Sequence, residues 1–318
     1  MISLNIPGVT IVRALPNGDL CAIYEGTLDG ERVIVKVSSD KANNDLVQTD
    51  ARMLRRLCPP TAPDTGRFRY LSRCLTSGMT GDRAYNVLAL ALDHGVKEGG
   101  PEYVSLAEVL GAFPSGLDYR DVVWMWKRAL VALGWAHNKS NIIHGNVTPP
   151  HILVHPLGHG AKLIDWSYSV VLKAEDVAKV PHVKKPGDRP TAWQRLLDDE
   201  DEAQVILEDE PQSPSHIKAI TPAYGVYYPP EVMAKKTPTP ATDIYMLGKC
   251  VTALLGGNTT TNWVPTEVPR QLREVLTQMV EEDPTKRYQH AWDIHDRLDA
   301  VLKQLVGDPV YRPLVMPK

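Results

Sequence analysis

No apolar run in this chain approaches the roughly twenty residues that a membrane-spanning helix needs. The opening residues MISLNIPGVT carry no basic stretch ahead of an apolar core, so no secretion signal is expected either. Cysteine is sparse. Cys21, Cys58, Cys74 and Cys250 are scattered without a C-x-x-C pair, which signals neither a zinc site nor a disulfide framework. Neither sign of charge dominates: 35 Lys and Arg stand against 38 Asp and Glu, a net charge of −3. That balance leaves no electrostatic footprint for nucleic acid. There is no internal repeat and no second recognisable domain. The expectation is a cytoplasmic chain with neither membrane nor nucleic acid as partner.

What is present is enough apolar residue, 43% of 318, to bury a core and to argue against disorder. The length suits one two-lobed domain or two small ones. Residues 9–37 alternate apolar and polar positions in two runs. Pro16-Asn17-Gly18 and Asp29-Gly30 break them, which predicts successive antiparallel strands. Residues 43–57 have helical spacing and stop before Cys58-Pro59-Pro60. Stretches 69–76 and 84–92 read as further strands, and the Gly-rich link DHGVKEGG, 93–100, as a boundary between lobes. Beyond it the pattern turns helical at 119–139, 242–255, 269–281 and 289–306, with HILV and AKLID as a short hairpin between. Residues 173–220, with the acidic run 198–202, read as an exposed insertion, and that run as a solvated loop or a docking surface for a basic partner. The tail 307–318 has too much proline for helix. The order predicts an α+β chain with two unlike lobes: a small, mainly β lobe at 1–95 and a larger, mainly α lobe at 96–306.

Six short segments then carry more specific information. They are VIVKV with Lys36, HGNVTPPHILV at 144–154, LIDWSYS at 163–169, YYPPE at 227–231, DIYMLG at 243–248 and DPTKR at 283–287. In this order and spacing the chain resembles the eukaryotic-type protein-kinase family over roughly residues 9–306. The resemblance implies a two-lobed kinase-like fold. It places Lys36 where the family neutralises the phosphates of ATP, and Asp165 where the family holds magnesium. It gives His144 a structural role in the catalytic loop, pairs Arg287 with Glu231 and makes Asp243 architectural. Trp124, Trp126 and Trp135 are expected simply to pack the long helix.

The same alignment puts the chemistry in doubt. The family's catalytic-loop Asp falls on Asn146, an amide that orients a hydroxyl but cannot take its proton at neutral pH. The loop Lys falls on Thr148, so a cation beside the γ-phosphate is missing. The second metal ligand falls on His151, and imidazole is a poor ligand for Mg²⁺. The Asp-Phe-Gly turn reads Asp165-Trp166-Ser167. Of the phosphate-covering glycines only Gly18 remains, and Pro16 removes a donor. The helix Glu that would pair with Lys36 is the shorter Asp50. Between LLGG, 254–257, and the helix near Pro269 only about a dozen residues intervene, where active family members have a longer segment that helps dock substrates. A metal face from His151, His155 and His159 would need a helix, which Pro149, Pro150, Pro156 and Gly158 oppose.

The leading expectation is a pseudokinase that takes ATP, with Mg²⁺ at Asp165, through Gly18, Lys36 and Asp50, and serves a protein partner as scaffold or switch. The alternatives are an active but divergent phosphotransferase, and a nucleotide-free structural module. Ile164-Asp165-Trp166 also resembles the small-molecule branch that includes aminoglycoside and choline kinases. A rearranged site could instead transfer AMP.

Overall fold

The computed structural model describes residues 4–59, 70–89, 103–177, 214–308 and 310–317. The link 93–100, the acidic run 198–202 and most of the 173–220 segment lie outside them.

Five antiparallel strands form the small lobe: β1 (Val9–Leu15), β2 (Cys21–Leu28), β3 (Glu31–Ser38), β4 (Arg73–Thr80) and β5 (Arg83–Ala89). Their order is β1-β2-β3-β5-β4. Alternation along β3 sends Val33, Val35 and Val37 to one face, where they bury with Ile6, Tyr85 and Val87. Lys36 therefore points to the other face. It is in register with Ile23 on β2 and Asn86 on β5. Across that face runs α1 (Asn44–Leu57). Its buried Val47, Asp50, Ala51 and Leu54 recur at helical spacing, so one helix face meets the sheet. Arg55 and Arg56 in its last turn complement the helix dipole.

The large lobe begins with β6 (Val104–Ser105) and α2 (Leu106–Ala112), which a Ser105–Glu108 capping box opens. The long α3 (Tyr119–Ser140) starts on Asp118, whose side chain accepts the Arg120 N–H, and ends at Asn141 in the left-handed conformation. Next come β7 (Ile142–Ile143), the hairpin of β8 (Ile152–His155) and β9 (Gly160–Leu163), β10 (Val170–Val171) and α4 (Ala174–Val177). The chain closes with α5 (Pro230–Met233), α6 (Pro240–Leu254), α7 (Arg270–Met279) and α8 (Ala291–Val306). The core is nearly continuous around α3 and α6, with Trp126 and Trp135 buried in it. Gly134 is required where α3 meets α8, because a Cβ there would lie 2.4 Å from the Trp292 ring.

The long helices α1, α3, α6, α7 and α8 and the first three strands fall where the periodicity puts them, while the short α2, α4 and α5 were not anticipated. β4 does not: it begins at Arg73, not residue 69. Tyr70 and Leu71 are apolar because they bury in the large-lobe core, and the strand runs on through Gly78 to the turn at Gly81. The two-residue strands β6, β7 and β10 are too short to show any period. Residues 258–268 hold one bridge, Asn258 with Trp263, and no helix. No described helix is long and apolar enough to cross a membrane.

Candidate functional site

Between the lobes, Lys36 reaches from β3 to two carboxylates. Its Nζ donates to Asp50 Oδ2 at 2.7 Å and to Asp165 Oδ1 at 2.8 Å. The shorter Asp50 makes the pair because α1 packs close to the turn after β9. The Trp166 N–H donates to Asp50 Oδ1 at 2.8 Å, and Asn86 Nδ2 donates to Asp50 Oδ2 at 3.2 Å. Asp50 is fully buried. Such a charge persists only when paired and hydrogen-bonded, and here it is both. Asp165 has a positive φ of 63°. It accepts from Ser167 Oγ at 2.7 Å as well as from Lys36.

Burial alone would weaken the charges of this cluster, and their mutual pairing outweighs it. Desolvation depresses the Lys36 ammonium, but Asp165 and Asp50 beside it hold its pKa well above the ordinary value. Burial likewise raises the Asp165 carboxyl, and Lys36, His151 and the Ser167 hydroxyl lower it further than burial lifts it.

The loop that starts at His144 hangs from Asp243 on α6. This buried carboxylate accepts the backbone N–H groups of His144 (2.8 Å) and Gly145 (2.9 Å) and faces His137 Nε2 at 2.8 Å. Gly145 sits at φ 76°, where a Cβ would come within 2.8 Å of the Tyr168 carbonyl. His144 donates from Nε2 to the Ile164 carbonyl at 2.9 Å and accepts the Asn146 N–H on Nδ1 at 3.1 Å. Its ring is neutral. Burial pushes its pKa down to about 4, against the attraction of Asp243. The geometry agrees with a structural histidine.

Asn146 is fully buried. Its Oδ1 accepts the phenol of Tyr228 at 2.6 Å and lies 3.4 Å from Thr148 Oγ1, while its Nδ2 is buried without a partner. Thr148 is also fully buried and lies 3.0 Å from His151 Nδ1. His151 places Nδ1 2.9 Å from the Asn146 carbonyl and Nε2 3.3 Å from Asp165 Oδ2. Nδ1 thus faces both the Thr148 hydroxyl and the Asn146 backbone carbonyl, while Nε2 faces the Asp165 carboxylate.

The turn aligned with the phosphate loop, residues 16–20, is closed by the Gly18 N–H donating to the Cys21 carbonyl at 3.0 Å. Gly18 has no positive φ, and a Cβ there would meet only ordinary contacts. Its neighbour Asp19 accepts the Thr221 hydroxyl at 2.9 Å across the cleft. Lys218 makes a second crossing to Asp45 of α1, at 3.0 Å.

The structure thus brings Lys36, Asp50, His151 and Asp165 into one network, with Asn146 and Thr148 adjoining it through His151. Gly18 is not hydrogen-bonded to it. His155 and His159 go elsewhere: His155 Nδ1 accepts from Gly158, and the His159 ring stacks on Trp124 at 4.2 Å. Among the described residues no group of three or more His, Cys, Asp or Glu could hold a metal ion. A magnesium ion at Asp165 would need nucleotide oxygens as its other ligands. Asp165 would be the carboxylate that holds such an ion. Sequence reasoning missed Tyr228, Thr221, Asp19 and Asn86. Tyr228 lies inside a segment read only for Pro230 and Glu231. Asn86 was detectable in principle, as a polar residue inside the apolar run of β5.

No family model and no curated protein matches the chain. Solved structures do. The Mycobacterium tuberculosis PknI kinase domain superposes with a TM-score of 0.59 at 13% identity, covering 94% of this chain and 98% of that one. A second structure of that domain gives 0.58 at 15% identity, and a double mutant of it gives 0.60 at 14%, with the same coverage. With the five-stranded small lobe and the helical large lobe, this similarity establishes that the chain has a two-lobed, protein-kinase-like α+β fold.

Proposed function

We propose that this chain is a pseudokinase: a kinase-like domain that retains a nucleotide-binding charge pair and serves a protein partner as scaffold or switch, without transferring phosphate. The observation that carries the reading is the Tyr228–Asn146 contact. Phosphoryl transfer needs an acceptor hydroxyl positioned in line and a group to take its proton. At the position of the base stands an amide, and its one accepting oxygen is already bonded to an internal, buried tyrosine. Thr148 supplies no cation. His151 turns a ring nitrogen rather than an oxygen ligand toward Asp165.

Nucleotide binding rests on Lys36 and Asp165. ATP would compete with Asp165 for the Lys36 ammonium, and magnesium would reach Asp165 only by displacing His151. Asp19 adds a negative charge beside the phosphate path. Affinity is therefore expected to be modest. The test is a thermal-shift titration with ATP, with and without Mg²⁺ or Mn²⁺, on the chain and on Lys36→Ala, compared as shifts from each protein's own baseline. A ligand that binds only the folded state raises the melting temperature according to its concentration relative to Kd. The expected result is a saturable rise that Lys36→Ala abolishes. No rise under any condition would leave the nucleotide-free structural module.

One observation favours the divergent phosphotransferase: the Lys36–Asp50 pair is formed, as an operating site requires. Mass spectrometry of protein incubated with ATP and metal separates the outcomes, because a transferred AMP adds a base and a sugar that a transferred phosphate lacks.

A further inference from the structure

Outside the nucleotide cleft, a cavity of about 460 Å³ opens between α1, β4 and residues 214–218. Its volume lies in the range of small-molecule sites. The charge of its walls is one-sided. Arg52, Arg55 and Lys218 line it, and Asp45 is the one carboxylate among the lining residues. Arg52 and Arg55 stand three apart on α1 and so share a face.

These two guanidinium groups hold only neutral partners in the described structure. Arg52 Nη2 donates to Thr49 Oγ1 at 2.8 Å, and its Nε is buried without any hydrogen-bond partner. Arg55 Nη2 donates to Ser77 Oγ at 2.7 Å. Lys218 does have a carboxylate, Asp45, but both side chains are about half exposed, 50% and 58%. An exposed pair of this kind contributes little and exchanges readily. The cavity thus presents two forked cations with unused donors and a third cation able to turn inward.

We infer that this cavity is a binding site for a phosphomonoester dianion, held by Arg52 and Arg55 with Lys218 closing over it. The planar guanidinium fork matches phosphate oxygens in bidentate fashion, and hydrogen bonds between ionised partners are the strong ones. The site also has a regulatory position. α1 carries Asp50, which holds Lys36, and the opposite wall includes Ser167 and Ser169, beside Asp165. An anion held here joins α1 to the segment that carries Lys218. The inference is independent of the pseudokinase reading, since it uses none of the nucleotide-site groups.

The experiment is a thermal-shift and ³¹P NMR titration of the full chain with sodium phosphate, against sodium chloride at matched ionic strength. Expected are a saturable rise in melting temperature and a saturable phosphate line broadening that chloride does not reproduce. The Arg52→Gln/Arg55→Gln double variant should weaken the affinity at least about tenfold, as loss of two charge-assisted contacts implies. Arg270→Gln, which removes an exposed arginine that does not line the cavity, should leave it unchanged. Ser77→Glu guards against misfolding of the double variant: it removes no cation but offers Arg55 an internal carboxylate, so it too should suppress phosphate binding. Equal responses to phosphate and chloride would overturn the inference. So would binding that survives both the double variant and Ser77→Glu, or binding weakened as much by Arg270→Gln. Parallel titration with N-acetyl-phosphoserine amide names the source: tighter binding than inorganic phosphate supports a phosphorylated side chain, and weaker binding supports a free phosphate compound.

Discussion

The phenol of Tyr228 donates a 2.6 Å hydrogen bond to Asn146 Oδ1, so the one accepting atom of the Asn146 side chain is engaged by a residue of the protein itself. The same phenol oxygen accepts the Thr221 N–H at 3.0 Å. Tyr228 thereby ties the segment before α5 to the loop of residues 144–151, and burial raises its pKa so that it stays a donor.

Tyr228→Phe leaves Asn146 Oδ1 and the Thr221 N–H without this partner in a buried setting. Orphaning such groups costs about 1–3 kcal/mol each. The expected outcome is a lower urea midpoint with an unchanged slope, since the folded and unfolded surfaces stay the same. An unchanged midpoint would show that the contact contributes nothing to stability.

Arg287 and Glu231 form a buried bidentate pair, at 2.6 and 3.0 Å. Arg287 also donates to the Glu281, Glu282 and Ala241 carbonyls. Arg287→Ala strands the Glu231 carboxylate, which is 6% exposed. Removing one partner of a buried pair costs about 3–5 kcal/mol. Calorimetry should show a large fall in melting temperature. Arg270→Ala, which breaks an exposed pair to Glu274, should shift it little.

His144 supplies a pH dependence. Burial holds its folded pKa at about 4, below the ordinary histidine value of about 6.5. The unfolded chain therefore takes up a proton first as pH falls. The stability this group confers is complete above about 6.5 and is lost as pH drops toward 4. In an NMR titration the His144 ring should stay neutral down to about pH 4, with its signals assigned by comparison with His144→Gln. A midpoint near 6.5 would contradict the burial argument.

Much of this was legible because the periodicities are strong. β3 alternates cleanly, so Lys36 had to oppose Val33, Val35 and Val37, and α1 and α3 have unmistakable apolar faces. The replaced loop residues could be read directly. What could not be read was where freed groups would turn. Nothing local to Asn146 says that a tyrosine 82 positions later fills its acceptor, and nothing in PNGDLC says that Asp19 meets Thr221 across the cleft. Imidazole chemistry makes His151 a poor magnesium ligand, but its place against Asp165 depends on the turn of residues 149–151. Arg52 and Arg55 look like ordinary surface charges until β4 and residues 214–218 close a cavity around them.

The most direct measurement is a phosphotransfer time course with ATP and Mg²⁺ on the chain, on Asn146→Asp and on the Asn146→Asp/Tyr228→Phe double variant, with Asp165→Ala as the blank. The account predicts that all four stay at background, because restoring the base and freeing it from the tyrosine still leaves Thr148 without a cation and His151 against Asp165. Robust transfer by the unmodified chain, abolished by Asp165→Ala, would contradict it.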